Sequence, residues 1–201
     1  MELLDRIIQE AAQFNTLEWS ATLIGIVYIL LAAANRPSCW IFGMVSCALW
    51  AYASYAYYLL YLDAILQVFY VAISVWGLYQ WMRGTAEQTP LPIRELGSVQ
   101  HLILIGGGLL LSLLFGYTFD QFTPAASTYW DAVTTVFSII TTFLLVQRIK
   151  SNWLYWLVVD AIYVFLYASR GAYLFSGLMV LYLVIATLAY FRWRKEWRMA
   201  A

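Results

Sequence analysis

The stretch Asn152–Tyr167 combines polar and aromatic side chains inside a segment that is long and apolar enough to cross a bilayer. If the stretch is helical, five of these side chains fall at i, i+4, i+8, i+11 and i+15 and share one face. Aromatic rings attract cations, so a face that also holds a carboxylate is suited to a planar, positively charged ligand. The five residues are Asn152, Trp156, Asp160, Tyr163 and Tyr167.

Asp160 is the residue on this face that costs most to bury. A charged side chain at membrane depth costs roughly 3 kcal/mol or more, and it usually faces a cavity or a partner. Two interpretations follow: a structural acid bonded to a neighbouring helix, or an acid that faces a ligand. The flanking aromatic side chains favour the ligand.

A second polar face is predicted earlier in the chain, where Gln67, Tyr70 and Ser74 follow helical spacing. The Gln67 amide needs hydrogen-bond partners in an apolar segment. A ligand and a neighbouring helix would satisfy it equally well, so both interpretations stay open. Trp50 lies too far inside its segment for an interfacial belt and is a further candidate for stacking on a ring.

The composition predicts an all-α membrane protein. Of the 201 residues, 64% are hydrophobic and 11% are charged, and a spanning helix needs about 20 mostly apolar residues. Little sequence is left for a domain outside the membrane, so the function must lie within the bundle. Seven spans are predicted, at Trp19–Ala34, Trp40–Leu60, Ala64–Trp81, Leu102–Tyr117, Tyr129–Val146, Trp153–Ser169 and Tyr173–Trp193.

Local charge predicts the orientation, because cytoplasmic loops carry an excess of Lys and Arg. The segments before the first span and after the second, fourth and sixth hold only Arg6 and Arg170. This places the N-terminus outside and the C-terminus in the cytoplasm. The other segments hold Arg36, Arg83, Arg94, Arg148, Lys150, Arg192, Arg194, Lys195 and Arg198.

The last three predicted spans echo the first three at an offset of 111 to 113 residues, as Trp40 and Trp153 or Tyr70 and Tyr182 show. One intervening span gives both halves the same direction, which is a known transporter architecture. The predicted parts are a short extracytoplasmic segment with an amphipathic pattern (1–17), a first three-helix repeat (18–83), a cytoplasmic linker (84–98), a connector helix (99–117), a second three-helix repeat (129–193) and a basic cytoplasmic tail (194–201).

Several function classes are disfavoured. The single histidine, His101, lies at a predicted helix start, and no HExxH element or Cys/His cluster suggests a metal. Neither lysine lies in a span, which argues against a Schiff-base photoreceptor, and an intramembrane enzyme is the alternative from another class. Cys39 and Cys47 are interpreted as small apolar residues. A net charge of zero gives no argument for nucleic acid, and no cofactor is expected.

The chain resembles the nicotinamide riboside transporter family, PnuC. One stretch that carries the resemblance is YLDAILQVFYVAISVWGLYQW, residues Tyr61–Trp81. The other runs from WDAVTTVFSI at Trp130 through NWLYW at Asn152–Trp156 to Gly171 and Tyr173. The most specific parts are the N-W-x-x-W element and Gln67.

The resemblance implies a three-plus-one-plus-three bundle with parallel repeats, similar in layout to SWEET sugar transporters. It also implies facilitated uptake of a vitamin-like, phosphate-free precursor across the bacterial inner membrane. The partners would be this small molecule and the lipid bilayer; a homo-oligomer is left open. Matching positions make Gln67, Asn152 and Trp156 the leading site residues, and the full predicted set is Gln67, Asn152, Trp156, Asp160, Tyr163, Trp50, Ser74 and Tyr70.

Two positions depart from the family pattern. Nicotinamide riboside members of the family have Asn where this chain has Asp160, and Asn where it has Ser74. Both lie on the predicted polar faces. The family also includes thiamin transporters, and thiamin carries a cationic thiazolium, so the added carboxylate would suit either vitamin. Nicotinamide riboside is the leading expectation and thiamin the alternative.

Overall fold

The structure is a computed structural model that describes residues 2–59, 61–86, 91–122 and 128–200. These residues form eight α-helices and an isolated bridge between Arg94 and Ile149. The helices are α1 (Glu2–Gln13), α2 (Thr16–Ala33), α3 (Cys39–Ala56), α4 (Tyr61–Ala86), α5 (Ser98–Phe122), α6 (Thr128–Val146), α7 (Asn152–Ser169) and α8 (Tyr173–Ala200).

Six of the helices in the described residues are long and apolar enough to cross a membrane, and all six match predicted spans. The one remaining predicted span, Trp153–Ser169, corresponds to α7, which is a helix of 18 residues but is not among these six. The structure therefore supports the all-α membrane class with six candidate spans.

Several helices begin earlier or end later than the hydrophobic pattern predicts. Helix α2 starts at Thr16 because Asn15 caps it: the Asn15 side chain accepts bonds from the Leu17 and Glu18 amides, and Glu18 accepts from the Asn15 amide at 2.8 Å. Helix α8 continues to Ala200, so the predicted basic tail is helical. Residues 87–90 of the predicted linker, Leu60 at the predicted end of the second span and the chain ends 1 and 201 lie outside the described residues.

The chain divides into two compact units, Met1–Pro92 and Ile93–Met199. In the first, α3 packs on both α2 and α4, and in the second, α6 packs on both α5 and α7. The division falls inside the predicted linker, whose last residues belong to the second unit.

The two units contain the same turn between their equivalent helices. At the end of α2, Asn35 has φ 55°, and the Asn35 and Arg36 amides donate to Ala32 and Leu31. At the end of α6, 113 residues later, Arg148 has φ 54° and the same two bonds form. This pairing is the Schellman motif, which places a left-handed residue just past the helix. The two turns therefore have the same local geometry.

Each unit also buries a perpendicular pair of tryptophans. In the first unit, Trp40 and Trp81 have ring centroids 5.5 Å apart at 88°. In the second, Trp153 and Trp193 have centroids 5.7 Å apart at 82°. All four rings are at most 1% exposed. The predicted repeat pairs Trp40 with Trp153 and Trp81 with Trp193, and the two units use these side chains alike.

The shared register shows where the units differ. At an offset of 113 residues, Asn152, Trp156 and Asp160 of α7 correspond to the following residues of α3: Cys39, Gly43 and Cys47. Cys39 is fully buried and Cys47 is half-buried. The polar face of α7 therefore has no polar counterpart at these positions of α3.

Small residues allow close packing of helices in both units. A Cβ added at Gly77 would lie 2.5 Å from the Trp40 ring, and one added at Gly116 would lie 2.6 Å from Tyr129. A glycine of α5 thus allows α6 to approach closely. At Gly106, in contrast, an added Cβ would meet nothing within 4 Å.

We expect Gly77→Ala to destabilise the protein by about 1–3 kcal/mol, because the methyl group overlaps a buried ring that cannot move freely. Gly106→Ala is the matched control, since alanine there gains helix propensity without a clash. Thermal unfolding in detergent should show a lower Tm for Gly77→Ala and an equal or higher Tm for Gly106→Ala. Equal Tm values for the two variants would contradict the packing of Trp40 on α4.

Candidate functional site

The candidate site in the second unit is built on α7, which starts directly after the α6–α7 turn. Asn152, its first residue, is fully buried, and its side-chain Nδ2 donates to the Ile149 carbonyl at 2.7 Å. Its Oδ1 is buried without a hydrogen-bond partner. One end of the amide is therefore used to hold the turn, while the acceptor end remains available.

Asp160 lies two turns further along the same face and is 2% exposed. Its Oδ2 is buried and has no hydrogen-bond partner. A buried carboxylate without a partner carries a large desolvation cost, which a bound cation would offset. Half-buried Trp156 and Tyr163 lie four residues before and three residues after it, as the helical pattern predicts.

Tyr163 connects this face to α6. Its hydroxyl lies within reach of the Thr134 and Ser138 side chains, and its ring stacks on Tyr167 with centroids 5.5 Å apart at 14°. Thr134 donates to main-chain carbonyls of its own helix, as hydroxyls inside helices commonly do. Thr141 of the same helix differs, because its hydroxyl is fully buried and lacks a partner.

The predicted residues of the first unit lie on α3 and α4. Gln67 and Tyr70 are half-buried on α4. Ser74 is buried, and its hydroxyl donates to the Tyr70 carbonyl at 2.7 Å, so its donor is used within the helix. Trp50 is half-buried on α3, and the Phe14 ring packs edge-on against it at 6.5 Å and 79°.

Three side-chain pairs of the second unit were not predicted, because their members are far apart in sequence. Asp131 lies in the first turn of α6, where a carboxylate suits the helix dipole, and pairs with Arg170 at 2.9 Å. His101 Nδ1 lies 2.8 Å from the Tyr155 hydroxyl. Lys150 pairs with Glu95 at 2.8 Å.

No metal centre emerges in the part of the chain that the structure describes. Groups of three or more His, Cys, Asp or Glu side chains that could hold an ion are absent there. The chemistry that the candidate residues offer is non-covalent: hydrogen bonding by amides, stacking by rings and attraction by one carboxylate.

Comparison with known proteins decides the family. A family model described as nicotinamide mononucleotide transporter matches residues 15–195, which is most of the chain. The chain belongs to this family. It is therefore a membrane transporter and not an intramembrane enzyme.

The names of individual relatives agree with the family assignment. The nicotinamide riboside transporter PnuC of Escherichia coli (strain K12) is 25% identical over 185 residues, covering 80% of this chain and 77% of the relative. PnuC of Neisseria mucosa is 26% identical over 198 residues, with coverage of 90% and 74%. The crystal structure of the vitamin B3 transporter PnuC matches 99% of this chain and 91% of its own with a TM-score of 0.74; at 24% identity, this likeness shows the fold.

We expect Asp160→Asn to raise the Tm of the substrate-free protein, because the variant keeps the shape of the side chain and removes a buried acid whose Oδ2 has no hydrogen-bond partner. A gain of about 1 kcal/mol corresponds to ~2–4 °C in a chain of this size. Asp131→Asn, which breaks the exposed pair with Arg170, serves as the control and should lower the Tm slightly or leave it unchanged. A lower Tm for Asp160→Asn would show that the carboxylate stabilises the fold.

Proposed function

We propose that this chain imports nicotinamide riboside across the bacterial inner membrane by facilitated diffusion. The observation that carries the proposal is the buried carboxylate of Asp160, whose Oδ2 has no hydrogen-bond partner, on a helix face that also presents Trp156 and Tyr163. A pyridinium ring is flat and positively charged, so it gains from stacking on aromatic rings and from a nearby carboxylate. The names of the relatives, nicotinamide riboside transporter, support the same substrate.

The family description names the mononucleotide, but the charged side chains of the spans suit the riboside better. A phosphate group adds negative charge and needs Arg or Lys partners when it is taken out of water. Across the seven predicted spans, the sequence holds a single Arg or Lys, which is Arg192 beside the end of the last span. Asp160 would repel a phosphate. Thiamin carries a cationic ring without phosphate, but the names of the relatives do not favour it.

The proposed roles follow from the chemistry of each side chain. Trp156 stacks on the pyridinium ring, Asp160 offsets its charge, and the free acceptor of Asn152 receives a hydrogen bond from the carboxamide or a ribose hydroxyl. Tyr163 contributes a ring beside them. The proposed substrate-binding residues of the first unit are Trp50, Gln67, Tyr70 and Ser74.

We further propose that α7 is a seventh span, which gives the predicted three-plus-one-plus-three, SWEET-like arrangement of helices. The polar residues Asn152 and Asp160 lower its hydropathy, and polar residues in a span are expected where a transporter binds its substrate. The repeated turns at Asn35 and Arg148 and the repeated tryptophan pairs support two equivalent three-helix repeats.

The proposed orientation places the basic loops and the C-terminal end of α8 in the cytoplasm. Within the second unit, Lys150 Nζ lies 3.6 Å from the centre of the Trp197 ring, so the α6–α7 turn and the end of α8 lie at the same end of the unit. Both segments belong to the basic set that predicts the cytoplasmic side.

Uptake by proteoliposomes containing the purified chain tests the proposed function. We expect labelled nicotinamide riboside to enter until its concentrations inside and outside are equal, without an ion gradient, because no energy input is proposed. Nicotinamide mononucleotide should not enter, since its phosphate finds no cationic partner. Liposomes without protein are the control, and uptake of thiamin and riboflavin is measured in the same way. Equal uptake of the mononucleotide, or chemical conversion of the riboside, would contradict the proposal.

Asp160→Asn tests the proposed role of the charge. We expect the variant to bind nicotinamide riboside about tenfold more weakly, which corresponds to ~1.4 kcal/mol, by isothermal titration calorimetry. Affinity for the reduced, uncharged riboside should stay the same, because that ligand makes no cation–carboxylate interaction. Asp131→Asn is the matched control and should bind both ligands as the wild type does. A parallel loss for both ligands would rule out a role for charge.

A further inference from the structure

The α6–α7 turn is held by a cluster of side chains from three separate segments of the second unit. We name it the Lys150 cluster; it consists of Arg94, Glu95, Lys150 and Trp197. The Arg94 amide donates to the Arg148 carbonyl at 2.9 Å, and the Lys150 amide donates to the Arg94 carbonyl at 2.9 Å. Residues that directly precede α5 are therefore fixed to the turn by main-chain bonds.

The Lys150 side chain joins the third segment. It is 4% exposed, and its Nζ lies 2.8 Å from Glu95 Oε2 and 3.6 Å from the centre of the Trp197 ring near the end of α8. A buried ammonium group is costly unless it is paired. Moving Glu95 away from the turn would leave the Lys150 ammonium group without its carboxylate, and moving the end of α8 away would remove the Trp197 ring, so these contacts resist opening.

The equivalent turn of the first unit is stabilised in another way. At the shared offset of 113 residues, the position of Lys150 is occupied by Pro37. A proline ring fixes its own backbone angle φ, so the α2–α3 turn carries a rigid residue of its own. The α6–α7 turn has the same main-chain geometry without that ring, and contacts from distant segments surround it.

The turn leads directly into the candidate site. Asn152 follows Lys150 by two residues, and its Nδ2 donates to the carbonyl of Ile149, the residue bridged to Arg94. The direction of the free Asn152 acceptor therefore depends on where the turn holds Ile149. A fixed turn presents that acceptor in one orientation, which lowers the cost of ordering the site when substrate binds.

We propose that Lys150 is a positioning residue for substrate binding: through Glu95 and Trp197 it fixes the α6–α7 turn and thereby the Asn152 amide. This inference rests on the proposed function, in which Asn152 binds the riboside. Lys150 itself need not touch the substrate.

The first test measures the turn without substrate. Lys150→Met keeps the apolar stem of the side chain and removes the charge, so the backbone amides of Arg148–Asn152 should exchange hydrogen with solvent faster than in the wild type. Lys150→Arg keeps the charge and should exchange at close to the wild-type rate. Arg192→Gln, which breaks an exposed ion pair with Glu196 on α8, is the matched control. Unchanged exchange in Lys150→Met would overturn the proposal, whatever the substrate is.

The second test measures affinity for nicotinamide riboside. We expect Lys150→Met to weaken binding about fivefold, as loss of ~1 kcal/mol would, and Lys150→Arg and Arg192→Gln to bind normally. In an Asn152→Ala background, Lys150→Met should cause little further loss, because its effect passes through Asn152. A full fivefold loss in that background, or no loss in the wild-type background, would overturn the positioning role. Absence of riboside binding by the wild-type chain would instead refute the proposed substrate.

Discussion

A polar group inside a membrane protein must find its partner within the protein, because the surrounding hydrocarbon offers none. Most hydroxyls in the described helices obey this constraint by bonding to a main-chain carbonyl. Ser46 donates to Ala21 across to the neighbouring helix, and Thr142 donates to Ser138 within its own. The exceptions include the Thr141 hydroxyl on α6 and, on α7, Asn152 Oδ1 and Asp160 Oδ2, which are buried without partners. In a transporter, buried polar atoms without partners are expected where the substrate supplies the missing hydrogen bond.

The two units show how a repeat can keep its framework while its chemistry diverges. Both retain the left-handed turn, which follows α2 in the first unit and α6 in the second, and both retain a perpendicular tryptophan pair. The face that carries Asn152 and Asp160 in the second unit carries apolar residues at the equivalent positions of the first. The internal bonding differs as well: buried Glu18 accepts a hydrogen bond from Tyr58, whereas the equivalent Asp131 forms a more exposed pair with Arg170.

Local patterns predicted much of this fold. Hydropathy identified the six candidate spanning helices, helical spacing placed Asn152, Trp156 and Asp160 on one helix, and the sparse tryptophan matches anticipated the two similar tryptophan pairs. Partners far apart in the sequence could not be predicted, because a pair such as Glu95 and Lys150 depends on tertiary packing alone. For the same reason, the sequence left the structural use of Ser74 and of the Asn152 Nδ2 unrecognised. Hydropathy is also weakest as a guide on α7, where functional polarity offsets the apolar pattern.

The two native cysteines offer sites for chemical labelling. The two cysteines of the chain, Cys39 and Cys47, occupy the positions in α3 that Asn152 and Asp160 occupy in α7. Native thiols therefore lie at the positions of α3 that correspond to the polar face of α7. Methanethiosulfonate reagents of graded size would measure how far solvent reaches these positions of α3 during transport. No cysteine has to be introduced, and the sequence has no other cysteines that would react.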